Sequence, residues 1–532
     1  MNMYRLLVAG VAIVGLAACE GGGVDLKVAT TDNSVDNSQN TSGGGGSTNP
    51  CASYTIPNSS QVREGTFDGR NCVYGADFVG TTNPLLVDLT IPFISGVHLF
   101  QDSLFVGQNV SSGAAPAGGT GPKLTIAAGN TLAFSDSADY VLINRGSQII
   151  AQGSPSAPIT FTAFADAVSN TAAANDVSLW GGLVINGNGI TNNCTDDQRL
   201  NNQCHVTAEG QPSNYGGNDN AESSGSLRYV VVKHTGFEVA PGDELNGITF
   251  NAVGAGTEVE FVQVYSTFDD GLEFFGGAVN VSNAVVLFAR DDSLDYSDGW
   301  SGTIDKALVI HYRTDGNRCV EGDNIGEGRS NAGAPLDTTP LTNPTIRNMT
   351  CITSNFDAGT HGDSEGPLVR QGGRIQLQDS IVYAAYGVAA NGKTSNECVE
   401  IESSVSLAAA AAGESTLVNS IIACEEAAKG TLANGDPLLD WVRGLNPSTN
   451  GGNYAFNAGN VVITDSANAS VSVLAPLSYF TATAFADATG TAFTMAPASG
   501  QVGAVLANDD WTSPWAFGLR TSNADEPLWI TQ

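Results

Sequence analysis

The chain has 532 residues, with 21 lysines and arginines against 54 aspartates and glutamates and a formal charge of −33 at pH 7. Such a charge disfavours nucleic acid and anionic surfaces as partners and leaves divalent cations or neutral sugars as fitting ligands, beside a solvated acidic surface with no specific partner. Abundant glycine (63 residues) and the absence of convincing helical periodicity point to short strands joined by turns.

Arg5 precedes an apolar run from Leu6 to Ala18, too short to span a bilayer and of the length of a signal-peptide core. The run ends in Leu16-Ala17-Ala18-Cys19, which resembles the bacterial lipobox. The resemblance implies a signal peptide over residues 1–18, a lipid-modified Cys19 and, with Glu20 next in line, delivery to the outer membrane or cell surface. Residues 20–50 are mostly Gly, Ser, Thr, Asn and Asp, with few large apolar residues and four consecutive glycines at 43–46, a composition that makes a flexible tether. The globular body is expected from residue 51 onward, held to a membrane by its lipid anchor.

Strand-like runs begin near Leu85 and recur at Leu104 to Val106, Leu124 to Ile126, Val141 to Ile143, Gln148 to Ala151, Ile159 to Thr162 and Leu183 to Ile185, with Gly, Asn, Asp and Pro turns between them. A polar excursion from Thr191 to Gly225 interrupts the series and is expected to protrude from one face, as a binding loop or a stapled flap. Strands resume at Leu227, Gly247, Val259, Gly277, Ala284 and Ala307, and later near Thr345, Ile375, Ile381 and Leu417. Ser404 to Ala412 reads as a short helix. From about Gly430 the pattern is lost, so residues 51–430 are assigned to a stack of coils and 431–532 to a cap over its final turns. A β-sandwich also has short strands with turns, but does not require corners repeating at one coil length.

That repeat is the sharpest feature. Asp269-Asp270-Gly271-Leu272-Glu273-Phe274 is echoed 22 residues later by Asp291-Asp292-Ser293-Leu294-Asp295-Tyr296, and Asn246-Gly247-Ile248 stands 24 residues before Asp270. Eight cysteines remain beside Cys19, and their grouping suggests local disulfides, Cys51 with Cys72, Cys194 with Cys204, Cys319 with Cys351 and Cys398 with Cys424, among the many connectivities that eight allow. No CxxC or HExxH occurs, so zinc is not expected.

Trp180-Gly181-Gly182, Tyr215-Gly216-Gly217, Asp270-Gly271 with Phe275-Gly276-Gly277, Asp291-Asp292-Ser293, Gly299-Trp300-Ser301-Gly302 and the late Asp510-Trp511-Thr512-Ser513-Pro514-Trp515 together resemble a family of bacterial secreted lipoproteins that form β-helices. The resemblance runs over nearly the whole mature chain. It implies an all-β, right-handed parallel β-helix with disulfide-stapled loops and a C-terminal cap, and carries no established activity or catalytic residues.

Coils stack about 4.8 Å apart, which would set Asp269 over Asp291, Asp270 over Asp292 and Glu273 over Asp295, with Asp298 close by. Like charges about 4 Å apart repel by roughly 4 kcal/mol at a partly buried surface. Solvation, protonation, Arg290 or Arg313, or a bridging cation would relieve this, and Ca²⁺ accepts six to eight oxygens in irregular geometry. Asp269, Asp270, Glu273, Asp291, Asp292, Asp295 and Asp298 are therefore the candidate calcium ligands. The plainer reading makes them turn formers held by backbone N–H groups. If the chain is an enzyme, Asp270, Asp292 and Arg290 are the catalytic candidates of a polysaccharide lyase or glycoside hydrolase. Phe268, Phe274, Phe275, Tyr296 and Trp300 form either a sugar platform or internal stacks. Gly362-Asp363-Ser364-Glu365-Gly366 fits G-x-S-x-G but lacks the strand and helix of a nucleophile elbow. The leading expectation is a non-enzymatic, lipid-anchored surface protein that binds a glycan, an envelope component or an outer-membrane protein.

Overall fold

The computed structural model describes residues 49–210, 213–240, 243–386, 396–449, 452–464, 495, 500–506 and 508–531. The signal sequence, Cys19 and the linker lie outside the described residues. Within them the fold is all-β, with two large sheets whose strands pair parallel with their counterparts one coil away, apart from the antiparallel pair Thr66–Phe67 and Cys72–Tyr74.

The shorter sheet takes nine strands in chain order, from Leu104–Val106 through Leu183–Asn186, Ile248–Asn251, Leu272–Phe275, Leu294–Ser297 and Glu321–Gly322 to Glu400–Ile401. Its register sets Ile248 beside Leu272 and Leu272 beside Leu294, so the 24- and 22-residue steps are each one coil. Successive side chains in a strand alternate between faces. One alternation points apolar residues inward: Ile248, Phe250, Leu272, Phe274, Leu294 and Tyr296 are each at most 1% exposed. The other turns Thr249, Glu273 and Asp295 outward in a single row.

The longer sheet has nineteen strands, among them Gly225–Thr235, Glu258–Thr267, Val281–Ala289 and Thr303–Ile310. These long strands bend at stacked left-handed residues, Tyr229 (φ 50°), Phe261 (54°), Asn283 (56°) and Lys306 (62°). Pairing passes from Arg228–Glu260 to Val230–Val262 and skips the bend. Asn tolerates this conformation cheaply, whereas a β-branched residue would not. The cost at Tyr229 and Phe261 is offset by the contact of their rings, 4.4 Å apart.

Inside, aromatic rings stack from coil to coil, Phe100 on Phe134, Phe134 on Trp180, Phe250 on Phe274 and Phe274 on Trp300, at 4.2 to 5.6 Å. The four disulfides join the cysteines in the pairs their grouping suggested. The helix at Ser404–Ala412 falls where expected and ends on Gly413 in the left-handed conformation (φ 81°).

Two features differ from the sequence reading. Coil stacking continues past residue 430, because Val461–Ile463 pairs parallel with Ile421–Ala423. Residues 500–506 and 508–531 do not sit only on the final coils. They run back over the outer face of the longer sheet, where Gly503 N donates to Asp379 O, Gln263 and the Phe517 backbone exchange two bonds of 2.7 Å, and Trp515 packs on Tyr229 and Phe261. That face is apolar, with Val231, Leu287, Leu308, Ile352 and Ile381 buried beneath the segment. An uncovered stripe of this kind demands burial, and the tail supplies it.

Candidate functional site

The acidic corner is built by the shorter sheet and the turn that enters each of its strands. The chain presents Asn246, Asp270 and Asp292 at equivalent corners, and each uses one side-chain oxygen in the same way. Asn246 Oδ1 accepts from Asp270 N at 3.0 Å, Asp270 Oδ1 from Asp292 N at 3.0 Å, and Asp292 Oδ1 from Arg318 N at 2.8 Å. The corner acids therefore stitch one coil to the next rather than closing their own turn. The glycine that follows has a matching cause: a Cβ on Gly271 would lie 2.5 Å from Ser293 O, so the next coil approaches too closely for a side chain.

Each corner aspartate also offers an oxygen to its acidic neighbours. Three overlapping groups result, Asp269 with Asp270 and Asp291, Asp270 with Glu273 and Asp295, and Asp292 with Asp295 and Glu321. Within each group one oxygen per residue lies within 4.8 Å of the others. The register continues the row from Asp295 to Glu321 and then through Leu368 to Glu400. Glu209, carried over the row by the Thr191 to Gly225 excursion, adds a further carboxyl group beside Glu273 and Asn246. Asn246 Nδ2 donates to Glu273 and to Thr249 Oγ1.

Counter-charges gather at one end. Arg370 bridges Glu321, Asp323 at 3.4 Å and Glu327 at 3.7 Å, and Arg318 bridges Glu365 and Glu400. Lys429 holds Glu400 at 2.9 Å, and Asp291 has His361 at 3.1 Å with Asn317 Nδ2 donating to its other oxygen. Among the described residues, Asp269, Asp270, Glu273, Asp292 and Asp295 form no ion pair, and Asp269 and Asp295 accept no hydrogen bond. Burial first, and the neighbouring carboxylates second, hold all five well above the usual carboxylate range. Burial pushes Glu321 up to about 7 and Asp323 up to about 8, against the pull of Arg370. The hydrogen bond from His361 to Asp291 raises the imidazole above its ordinary value.

Six of the seven candidate ligands thus converge, and Asp298 does not. It is held instead by Arg329 at 2.9 Å and by Asn193 Nδ2. In the Asp295 to Asp298 stretch side chains alternate and the chain then turns at Asp298 (φ 56°), which removes it from the row. Arg290 also stands apart from the acids expected to need it: its guanidinium meets Asp315 at 3.4 Å and the Asn175 carbonyl at 3.0 Å. Arg313 is exposed. Phe274, Tyr296 and Trp300 are wholly buried and belong to the core stack, while Phe268 packs edge-on against His361 and Phe275 near Tyr215. Ser364 of the G-x-S-x-G match is wholly buried and hydrogen-bonded to His311 Nδ1 at 2.8 Å, so it faces no solvent.

Sequence reading missed Glu321, Asp323, Arg318 and Arg370. The first three lie in the stretch after Arg313 that reads as a loop, although Glu321-Gly322 is one further rung of the shorter sheet. A Glu-Gly-Asp beside Cys319 was the available signal.

Stacked parallel strands with an apolar inner row and a polar outer row define the β-helix class of folds. The family model described as a pectate-lyase-like beta helix domain matches residues 116–445, and the chain belongs to that family. No curated protein and no solved structure matches the chain.

Proposed function

We propose that the protein is a lipid-anchored surface or outer-membrane β-helix that binds Ca²⁺ along its acidic row and offers the ion-loaded face to a glycan or another envelope component. The β-helix is read as right-handed, with Cys19 as its lipid attachment and residues 1–18 as the removed signal. One observation carries the calcium reading: five carboxylates on consecutive coils, with oxygens within 4.8 Å of one another in overlapping sets, form no ion pair among the described residues. At that spacing and an effective dielectric of 20, each ionised pair repels by ~3.5 kcal/mol. Hard, irregular oxygen donors of this kind suit calcium. Asp269, Asp270, Glu273, Asp291, Asp292, Asp295 and Glu321 would hold the ions, and a bound cation would supply a positive point for acidic or hydroxyl groups of a sugar.

A lyase or glycosidase acting on the same face is the second reading, favoured by the pectate-lyase-like character of the family. The state of the bases speaks against it. Burial opposes the charge of Arg370, yet Glu321, Asp323 and Asp295 outweigh it and hold the guanidinium above its ordinary range, so it does not serve as a proton acceptor. Arg318 and Arg290 are likewise engaged with carboxylates.

Calorimetric titration of chelator-treated protein with Ca²⁺ tests the first reading, and incubation with uronate and neutral polysaccharides tests the second. Saturable calcium binding with no released oligosaccharide is expected. Product formation abolished by Asp270→Asn or Asp292→Asn would replace the binding role with catalysis, and no heat of calcium binding would remove the ion from the scheme.

A further inference from the structure

Away from the acidic row, the excursion loop encloses a second polar site of opposite sign. Arg145 follows the strand Val141–Ile143 and is only 3% exposed. Its Nη1 donates to the carbonyls of Cys204 at 3.1 Å and Gly216 at 2.7 Å, and its Nη2 to Val110 O and to His205 Nδ1 at 2.8 Å. Its Nε–H is buried without any partner. The two other buried arginines among the described residues have carboxylates, Asp196 for Arg199 and Glu414 for Arg374. Arg145 has none, in a chain where acids outnumber bases 54 to 21. Burial draws its pKa down to about 10, which leaves it charged at neutral pH.

A buried cation without an anion is costly, and three carbonyl dipoles offset that only in part. Beside this guanidinium lies a cavity of about 220 Å³, roofed by the Gly113 to Gly118 segment and walled by His205, Gly217 and Asn218. The Cys194–Cys204 disulfide and the capped helix Asp196–Leu200 fix the wall. Ala115, Ala117, Gly118 and Asn218 line the cavity, and their backbone N–H groups donate no hydrogen bond to other described residues. Small residues on the roof allow an oxygen to approach those amides closely. Asp219 is the acid in the lining, and its Oδ1 is taken by the N–H of Ala221 at 2.9 Å.

We propose that this cavity binds a small oxyanion, an inorganic phosphate or sulfate or the carboxylate head of a small organic acid, with Arg145 as the charge that holds it and the free loop amides as its hydrogen-bond donors. Such a ligand would also pin the excursion loop that carries Glu209 over the acidic row, although the anion site does not depend on calcium.

The test is calorimetric titration and thermal melting of the purified chain in chloride-free buffer with phosphate, sulfate and acetate in separate arms. At least one should bind saturably and raise the melting temperature, and the arm that does so names the head group. Arg145→Gln should weaken that binding about tenfold or more, the size expected for a charge-assisted contact, while the response to Ca²⁺ stays unchanged. Should Arg145→Gln fail to fold, Ala115→Phe fills the cavity with the guanidinium intact and should abolish binding. Absence of binding by all three ions at millimolar concentration, or unchanged binding in the variant that folds, overturns the proposal.

Discussion

Replacing Asp292 separates its two roles, since Asn keeps the oxygen that stitches coils and removes the charge that crowds the row. Asn246 already occupies the equivalent corner with the same bond to the following coil, so Asn fits the site. Asp292 is 5% exposed and has oxygens of Asp295 and Glu321 within 4.8 Å. Each ionised pair at that distance is worth ~3.5 kcal/mol of repulsion at an effective dielectric of 20. Partial protonation already relieves some of it, so Asp292→Asn in chelator should gain ~1–3 kcal/mol over the parent chain. Asp292→Ala removes the acceptor as well and leaves the Arg318 N–H without its partner, which costs ~1–3 kcal/mol and cancels that gain. In excess calcium the order reverses, because both variants lose a ligand and the parent does not. Urea unfolding followed by tryptophan fluorescence, with chelator and then with calcium, gives all four comparisons. If Asp292→Asn and Asp292→Ala are equally destabilised in chelator, or if neither reduces the gain from calcium, the two-role reading of this residue is wrong.

The remaining predictions use the same structure. Carboxyl groups of the row have folded-state pKa values above their unfolded ones, so the native state binds more protons and stability in chelator falls as pH rises from about 4 toward the values of about 7 for Glu321 and about 8 for Asp323. Saturating calcium should flatten that decline, and a denaturation series across pH 4 to 9 checks it, with a rise over the same window as the contrary result. Phe274→Ala opens a hole between Phe250 and Trp300, whose rings lie 5.2 and 4.2 Å from it, and should cost ~3–5 kcal/mol while leaving calcium affinity within about twofold. A chain ending before residue 500 exposes Val231, Leu287, Leu308 and Ile352 and should self-associate when measured by light scattering, whereas a monodisperse monomer would mean the tail is not needed to cover that face.

The fold was legible where one physical cause wrote one pattern. Leu272 and Leu294 had to point inward and Glu273 and Asp295 outward at one coil length, so a 22-residue echo was enough to place them side by side. Legibility failed where spacing was broken. Glu321 follows Asp295 by 26 residues and Leu368 follows Glu321 by 47, because loops of free length separate rungs that are only two residues long. A two-residue strand has no period to read, and its place is set by the coil beneath it. The tail escaped the sequence for a related reason. Its aromatic residues Trp511, Trp515 and Phe517 carry no register with the strands, and what fixes them is the shape of an apolar face assembled from Tyr229, Phe261 and Tyr265, residues of two coils that only the folded stack brings together.

The acidic corner joins these two kinds of evidence. Its aspartates were open to two readings, as turn formers and as ligands, and the structure replaces the first with an acceptor role toward the next coil. Stitching alone requires only an acceptor, which Asn246 supplies without charge. Asp270 and Asp292 therefore bring a charge that stitching does not require, next to Asp269 and Asp295, which accept no hydrogen bond among the described residues, and Glu273, which accepts from Asn246 on the preceding coil. Where an uncharged residue would serve the fold equally well and two consecutive coils carry carboxylates instead, the excess charge is the physical basis on which we propose a cation for the row.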